Sequence, residues 1–249
     1  MKSAWLLLLG IYDYLVLYLG LLWLGLLCLG WTLIAALLYP VLPHPTAKLL
    51  GRYAIMAGFR LYLASLRLTR RCSFDLSALD QLRGDTPLII APNHPSLLDA
   101  VMVISRLPNV TCVMKAELMN NVFLGAGARL AGYIRNESVH QMVRQACADF
   151  HSGSQLLLFP EGTRTTSHPT NVLTGSAGLI AHHAKVPIQT VFIETNSPYL
   201  GKGWPLFRKP AMPIHYKIRL GRRFAPPQNT RRFTHELEQY FAQELEQPC

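Results

Sequence analysis

Two short stretches of this 249-residue chain carry side chains whose types and spacing could do chemistry. The first runs Pro92-Asn93-His94-Pro95-Ser96-Leu97-Leu98-Asp99. A carboxylate bound to one imidazole nitrogen fixes the tautomer and stabilises the imidazolium, which frees the other nitrogen to take a proton from a hydroxyl. Five residues along a continuous helix rotate by about 500°, so His94 and Asp99 would not share its face. Pro95 suits a first helical position. That places His94 just outside the spiral, where its ring can fold back onto Asp99. The second stretch is Phe159-Pro160-Glu161-Gly162-Thr163-Arg164. Gly162 permits a tight turn, Glu161 can anchor that turn or bind an acceptor hydroxyl, and the planar fork of Arg164 can grip a phosphate. Read without regard to fold, the same residues would be a capping histidine and an ordinary polar turn.

The elements that must position these groups follow from hydrophobic pattern. Short apolar runs bounded by turn residues predict buried strands at 87–91, 109–114, 155–159 and 188–194, and alternation predicts a later, partly exposed strand at 213–220. Helices are expected at 97–106, 139–152, 175–184 and 231–246. Strands alternating with helices indicate an α/β domain with a largely parallel sheet flanked by helices. Reactive groups in such sheets collect beyond the carboxyl ends of the strands, and both stretches lie there.

Taken together, the stretches resemble the glycerophospholipid acyltransferase family, which includes the 1-acyl-glycerol-3-phosphate acyltransferases. Its first motif is matched at Asn93, His94 and Asp99, its second at Gly132-Tyr133-Ile134-Arg135, its third in full at 159–164 and its fourth at Val186-Pro187-Ile188. Order and spacing agree over about residues 85–195. The resemblance implies a glycerol-phosphate-acyltransferase-like fold, with His94 as general base and Asp99 as its orienting partner. It implies substrate binding by Arg135 and by Glu161, Gly162, Thr163 and Arg164, with the two arginines on the phosphate side. Lys115 stands where the family often carries a basic residue near the headgroup. The implied reaction moves a fatty acyl chain from acyl-CoA or acyl carrier protein to the hydroxyl of a lysophospholipid, without cofactor or metal. The chain departs from the pattern twice. Leu173-Thr174-Gly175 stands where Phe-Lys-x-Gly is common, and Asn120-Asn121-Val122-Phe123 lacks the usual proline. Both leave acyl transfer intact and open the acceptor to a lyso-aminolipid or another hydroxylated lipid.

Half of the residues are hydrophobic and 15% are charged, against about 25% in average globular chains. The cause is the amino-terminal segment, where Asp13 is the single charge between Ala4 and Tyr39. Residues 1–46 are expected to be a hydrophobic membrane anchor and 47–249 the acyltransferase domain, opened by an interfacial helix at 47–70. The stretch from Tyr14 to Tyr39 has 26 residues, about 39 Å of helix, enough to span a hydrocarbon core. A shallow hairpin broken around Gly10, Asp13 and Gly20 is the alternative. Lys48, Arg52, Arg60, Arg67, Arg70 and Arg71 follow the apolar run, which places the domain on the cytoplasmic side.

The net charge is +10, carried almost wholly beyond residue 50. That suits anionic membrane lipids or an acidic carrier. Nucleic acid is excluded as a partner, since no zinc-finger spacing, basic zipper or aromatic-interleaved RNA signature occurs. Five cysteines, widely spaced and without a C-x-x-C, point to reduced thiols rather than a disulfide framework or zinc site. A non-catalytic membrane-surface protein would also be basic, but would need no His–Asp pair at a strand end.

Overall fold

The structure is a computed structural model that describes residues 2–246; Cys249 lies outside the described residues. In chain order the elements are α1 (Lys2–Leu38), α2 (His44–Leu68), β1 (Cys72–Asp75), a 3-10 turn (Ser77–Leu82), β2 (Leu88–Pro92), α3 (Asp99–Ile104), β3 (Val110–Met114), α4 (Ala116–Met119), α5 (Gly125–Leu130), β4 (Ile134–Arg135), α6 (Val139–His151), β5 (Gln155–Leu157), α7 (Ser176–Ala184), β6 (Ile188–Thr195), β7 (Ile214–Phe224) and α8 (Thr230–Glu246). The seven strands form one sheet in the order β1-β7-β6-β2-β5-β3-β4. Every pairing is parallel except β6 with β7. The expected α/β architecture is therefore present.

β2 is buried along its whole length, which explains its unbroken apolar run. Its Leu88 and Ile90 face one core, shared with α2, α3 and α1, while Ile89 and Ala91 face a second core under α6, α7 and α8. The period of two thus sends one strand's side chains into both layers. β7 is longer than expected because its outer half keeps pairing with β6 past the register shift between Gln189 and Val191. Strands β1 and β4, with four and two residues, are too short to show any alternation in the sequence.

α1 is one unbroken helix through Gly10, Asp13 and Gly20, so the break that the alternative hairpin required is absent. The charge that was to break it is paired instead: Asp13 accepts from Arg71 Nε at 2.6 Å and lies 3.5 Å from Lys209 Nζ. The rest of α1 docks lengthwise. Tyr12 Oη donates to the Thr69 carbonyl, Leu17 enters the main core, Trp31 lies against Gly127 of α5, and Thr32 Oγ1 donates to the Phe123 carbonyl. A Cβ at Gly127 would stand 2.6 Å from the Trp31 ring, so only glycine lets the two helices approach this closely. The opposite face of α1, including Leu7, Leu15, Leu22, Leu26 and Leu33, is exposed. α1 is long and apolar enough to cross a membrane, with mean hydropathy 2.3 over its most apolar stretch.

α2 is fastened to the domain by a buried ion network. Arg52 donates to the Ala131 carbonyl, to Asn109 Oδ1 and to Asp149 Oδ2, and Lys48 and Thr111 complete the Asp149 carboxylate. Removing one partner of such a network strands the other charge in low dielectric. Arg52→Ala is expected to lower the unfolding free energy by about 3 kcal/mol. A denaturant titration checks this, and an unchanged midpoint would show that the network contributes nothing.

Candidate active site

The carboxyl ends of β2, β5, β3 and β4 are neighbours in the sheet, and each delivers one of the sequence-selected groups. His94 follows β2, the Glu161 turn follows β5, Lys115 follows β3, and Arg135 closes β4. Asn93 fixes the first of these ends. Its side chain donates to the Ile193 carbonyl at 3.1 Å and accepts from Ile193 N at 2.7 Å, so it extends the β2–β6 ladder by one more rung.

His94 and Asp99 meet: Nδ1 lies 2.8 Å from Asp99 Oδ2. They do so by a different route from the expected one. The helix starts at Asp99, not near residue 97, because Ser96 and Leu97 bond to another loop. Ser96 Oγ donates to the Tyr199 carbonyl and Leu97 N to the Leu200 carbonyl. Ser96 N also donates to Asp99 Oδ2 at 2.8 Å, and Asp99 N to the Ser96 carbonyl. A closed turn, rather than a helix start on Pro95, folds the carboxylate back under the ring. With Nδ1 directed at Asp99, Nε2 is the nitrogen left for substrate.

The imidazole stacks on the Phe159 ring, with centroids 3.9 Å apart and planes 20° from parallel. β5 ends at Leu157, two residues earlier than expected, and this releases Phe159 to lie against His94. Asp99 is wholly buried, and that burial raises its carboxyl from 3.8 to about 6, against the lowering effect of the His94 hydrogen bond and charge. Its Oδ1 has no hydrogen-bond partner among the described residues.

Glu161 is where the structure corrects the substrate-binding expectation. It is 4% exposed and both oxygens are occupied. Oε1 accepts from His94 N at 2.9 Å and from Thr165 Oγ1 at 2.8 Å, and Oε2 accepts from Asn171 N at 3.1 Å. Thr165 N in turn donates to the His94 carbonyl at 2.8 Å. The turn therefore holds the peptide of His94 from both sides, and Glu161 anchors rather than offers an oxygen to an acceptor. Gly162 has φ +67°, the left-handed region open to glycine, and a Cβ there would meet Thr174 at 3.2 Å. Glu161→Ala is expected to destabilise the fold by about 2–5 kcal/mol, since it leaves the His94 and Asn171 N–H groups unpaired. Glu161→Gln, which keeps one acceptor oxygen, should recover part of both stability and turnover. Melting and rate measured on the same samples check this; an Ala variant as stable as the parent would remove the anchoring role.

The remaining selected residues are dispersed around this centre. Arg164 Nη1 donates to the carbonyls of Leu200 and Gly201, at 2.8 and 3.0 Å, so the guanidinium also braces the β6–β7 loop. Thr163 is half-buried beside Gly162 and Lys115 is exposed. Arg135 pairs with Glu137 at 2.9 Å. Because Met114 and Arg135 are in register, Lys115 and Arg135 stand at adjacent strand ends. Thr174 donates its hydroxyl to the Pro160 carbonyl at 2.8 Å and serves the turn. Asn171 gave no sequence signal, yet its Oδ1 accepts from Thr166 and Ser167, and its Nδ2 donates to the Arg164 carbonyl. A loop asparagine of this kind is recognisable only once the turn it braces is known.

A largely parallel sheet thus carries a histidine–carboxylate pair beyond a central strand, with basic residues along the same edge. Residues 73–194 match the Acyltransferase family model. That match and the two similarities that follow support a place in the glycerophospholipid acyltransferase family. It is similar to the lyso-ornithine lipid O-acyltransferase of Pseudomonas aeruginosa, at 28% identity over 127 residues, covering 46% of this chain and 49% of that protein. The chain thus matches about half the length of that curated relative. Its fold is similar to that of the 1-acyl-sn-glycerophosphate (LPA) acyltransferase PlsC from Thermotoga maritima, with TM-score 0.62 and 18% identity, over 99% of this chain and 97% of the other.

Proposed function

We propose that the protein is a membrane-bound lipid O-acyltransferase. It moves a fatty acyl chain from a thioester of coenzyme A or acyl carrier protein to the free hydroxyl of a lysolipid. The observation that carries this reading is the His94 Nδ1–Asp99 Oδ2 contact at the carboxyl end of β2, inside the matched family segment. His94 Nε2 removes the proton of the acceptor hydroxyl as its oxygen attacks the thioester carbonyl. Asp99 holds the imidazolium, and the departing thiolate then takes the proton back from Nε2. The chain's own residues suffice for this, with no metal and no acyl-enzyme.

The default acceptor is 1-acyl-glycerol-3-phosphate, for which Lys115, Arg135 and Arg164 are the phosphate-side groups, with Gly162 and Thr163 in the adjoining turn. A lyso-aminolipid is favoured by one specific feature. Counting back from Gly175 in the Phe-Lys-x-Gly pattern, buried Leu173 occupies the place of the family lysine and supplies no cation there. The Pseudomonas aeruginosa relative, named for a lyso-ornithine lipid, points the same way. The purified protein should be offered both acceptors with both thioester donors. Product with a lysolipid supports the reading, and the preferred acceptor decides between the two. Absence of product with every pair would overturn it.

The lengthwise docking of α1 bears on how the protein meets the membrane. Contacts from Tyr12 to Thr32 fix the helix to the domain over about 30 Å. A helix so attached lies along one leaflet rather than crossing the bilayer, with its exposed leucines in the acyl chains. The remaining basic groups after α1 suit the anionic lipids of the cytoplasmic leaflet.

A further inference from the structure

The loop between β6 and β7 has a composition that the catalytic reading does not use. Residues 202–209 run Lys-Gly-Trp-Pro-Leu-Phe-Arg-Lys, and no Asp or Glu occurs between Glu194 and Glu236. Leu206 and Phe207 are exposed, Phe207 by 64%. The loop has internal order: Trp204 Nε1 donates to the Arg208 carbonyl at 3.0 Å, and the Arg208 guanidinium lies 4.9 Å above the Trp204 ring. Its tip lies against α1. Phe207 packs on Tyr18 with centroids 6.2 Å apart, and Lys209 Nζ sits 5.2 Å over the Tyr14 ring and 3.5 Å from Asp13. Tyr14 and Tyr18 are themselves half exposed, so the aromatic tip adjoins the exposed side of α1.

The root of the same loop is bonded to the catalytic turns. Tyr199 and Leu200 are buried, and their carbonyls, with that of Gly201, receive the Ser96 hydroxyl, Leu97 N and Arg164 Nη1. One short segment therefore joins α1 to the residues that follow His94 and to the Arg164 turn.

We propose that residues 202–209 form a second membrane-contacting element, in which Leu206 and Phe207 enter an anionic bilayer surface beside α1 while Lys202 and Arg208 meet its headgroups. Aromatic and aliphatic side chains flanked by cations suit the interface of a negatively charged leaflet. Two anchors, α1 and this loop, fix both the depth and the tilt of the domain, and the root bonds pass that placement to His94. The proposal rests on the membrane reading of α1.

A photo-crosslinking amino acid is placed singly at Phe207, Leu33 or Gln239 in the full chain. Each variant is reconstituted in vesicles of phosphatidylcholine and phosphatidylglycerol carrying an alkyne-tagged lipid. Leu33 reports α1, and Gln239 reports α8 on the far side of the sheet. Activity in detergent confirms that each variant is folded. Lipid adducts at 33 and 207, with about tenfold less at 239, are expected. Adducts at 33 without excess at 207 over 239, or an adduct at 207 to a second protein copy, would overturn the loop's role and leave that of α1 standing. No excess at either site would overturn both.

Discussion

Asp99→Asn is expected to raise the melting temperature at neutral pH and to remove most of the turnover. The two effects share one cause. Burial lifts the Asp99 carboxyl from 3.8 to about 6, with His94 pulling the other way. A carboxyl raised in the folded state stabilises the protein fully below its unfolded value, and that contribution is lost as pH rises through the folded value. The window therefore runs from about pH 4 to about pH 6, and above it the ionised Asp99 is a net burden on the fold. The shift corresponds to a difference on the order of 3 kcal/mol. Asparagine has the same shape and no charge to desolvate, so its variant escapes this penalty. It also cannot balance an imidazolium or enforce the tautomer, and a loss of about 10²–10⁴ in turnover follows. Melting curves of parent and variant from pH 4 to 8 check the account. The gap should open as pH rises, and a variant melting below the parent at pH 7 would contradict it.

His94→Ala is expected to have the largest effect on rate, at least about 10²–10⁴, because it removes the proton acceptor itself. The deficit should lie in kcat, since the ring is needed when the hydroxyl loses its proton rather than when substrates bind. Glutamine at the same position keeps a polar side chain over Phe159 but has no basic nitrogen, and should be as slow. Steady-state rates over a range of acceptor concentrations separate the two parameters. A glutamine variant within a few-fold of the parent would mean that His94 organises the site without taking the proton.

The sequence carried the centre of this site more fully than its surroundings. His94, Asp99 and the 159–164 turn stand out because their chemistry and spacing are local, and the four buried runs that place them are pure enough in apolar residues to read as strands. What failed was whatever depended on distant partners. The start of α3 moved to Asp99 because Ser96 and Leu97 bond to residues 103 positions away. Glu161 looked free to meet substrate because nothing nearby in sequence shows that His94 N and Asn171 N will converge on it. Asp13 looked like a helix breaker because its partners, Arg71 and Lys209, lie 58 and 196 positions along the chain. Strands β1 and β4 are held by their neighbours' ladders and leave no pattern of their own.

The most direct test of direct transfer by His94 is a single turnover with excess protein. Acyl thioester labelled in its acyl chain is mixed with lysolipid, quenched in acid and separated into thioester, lipid ester and protein. Label should pass from thioester to lipid ester with none held by the protein, and His94→Ala should leave it in the thioester. Label trapped on the protein, or equal transfer by the variant, would contradict a general-base mechanism at His94.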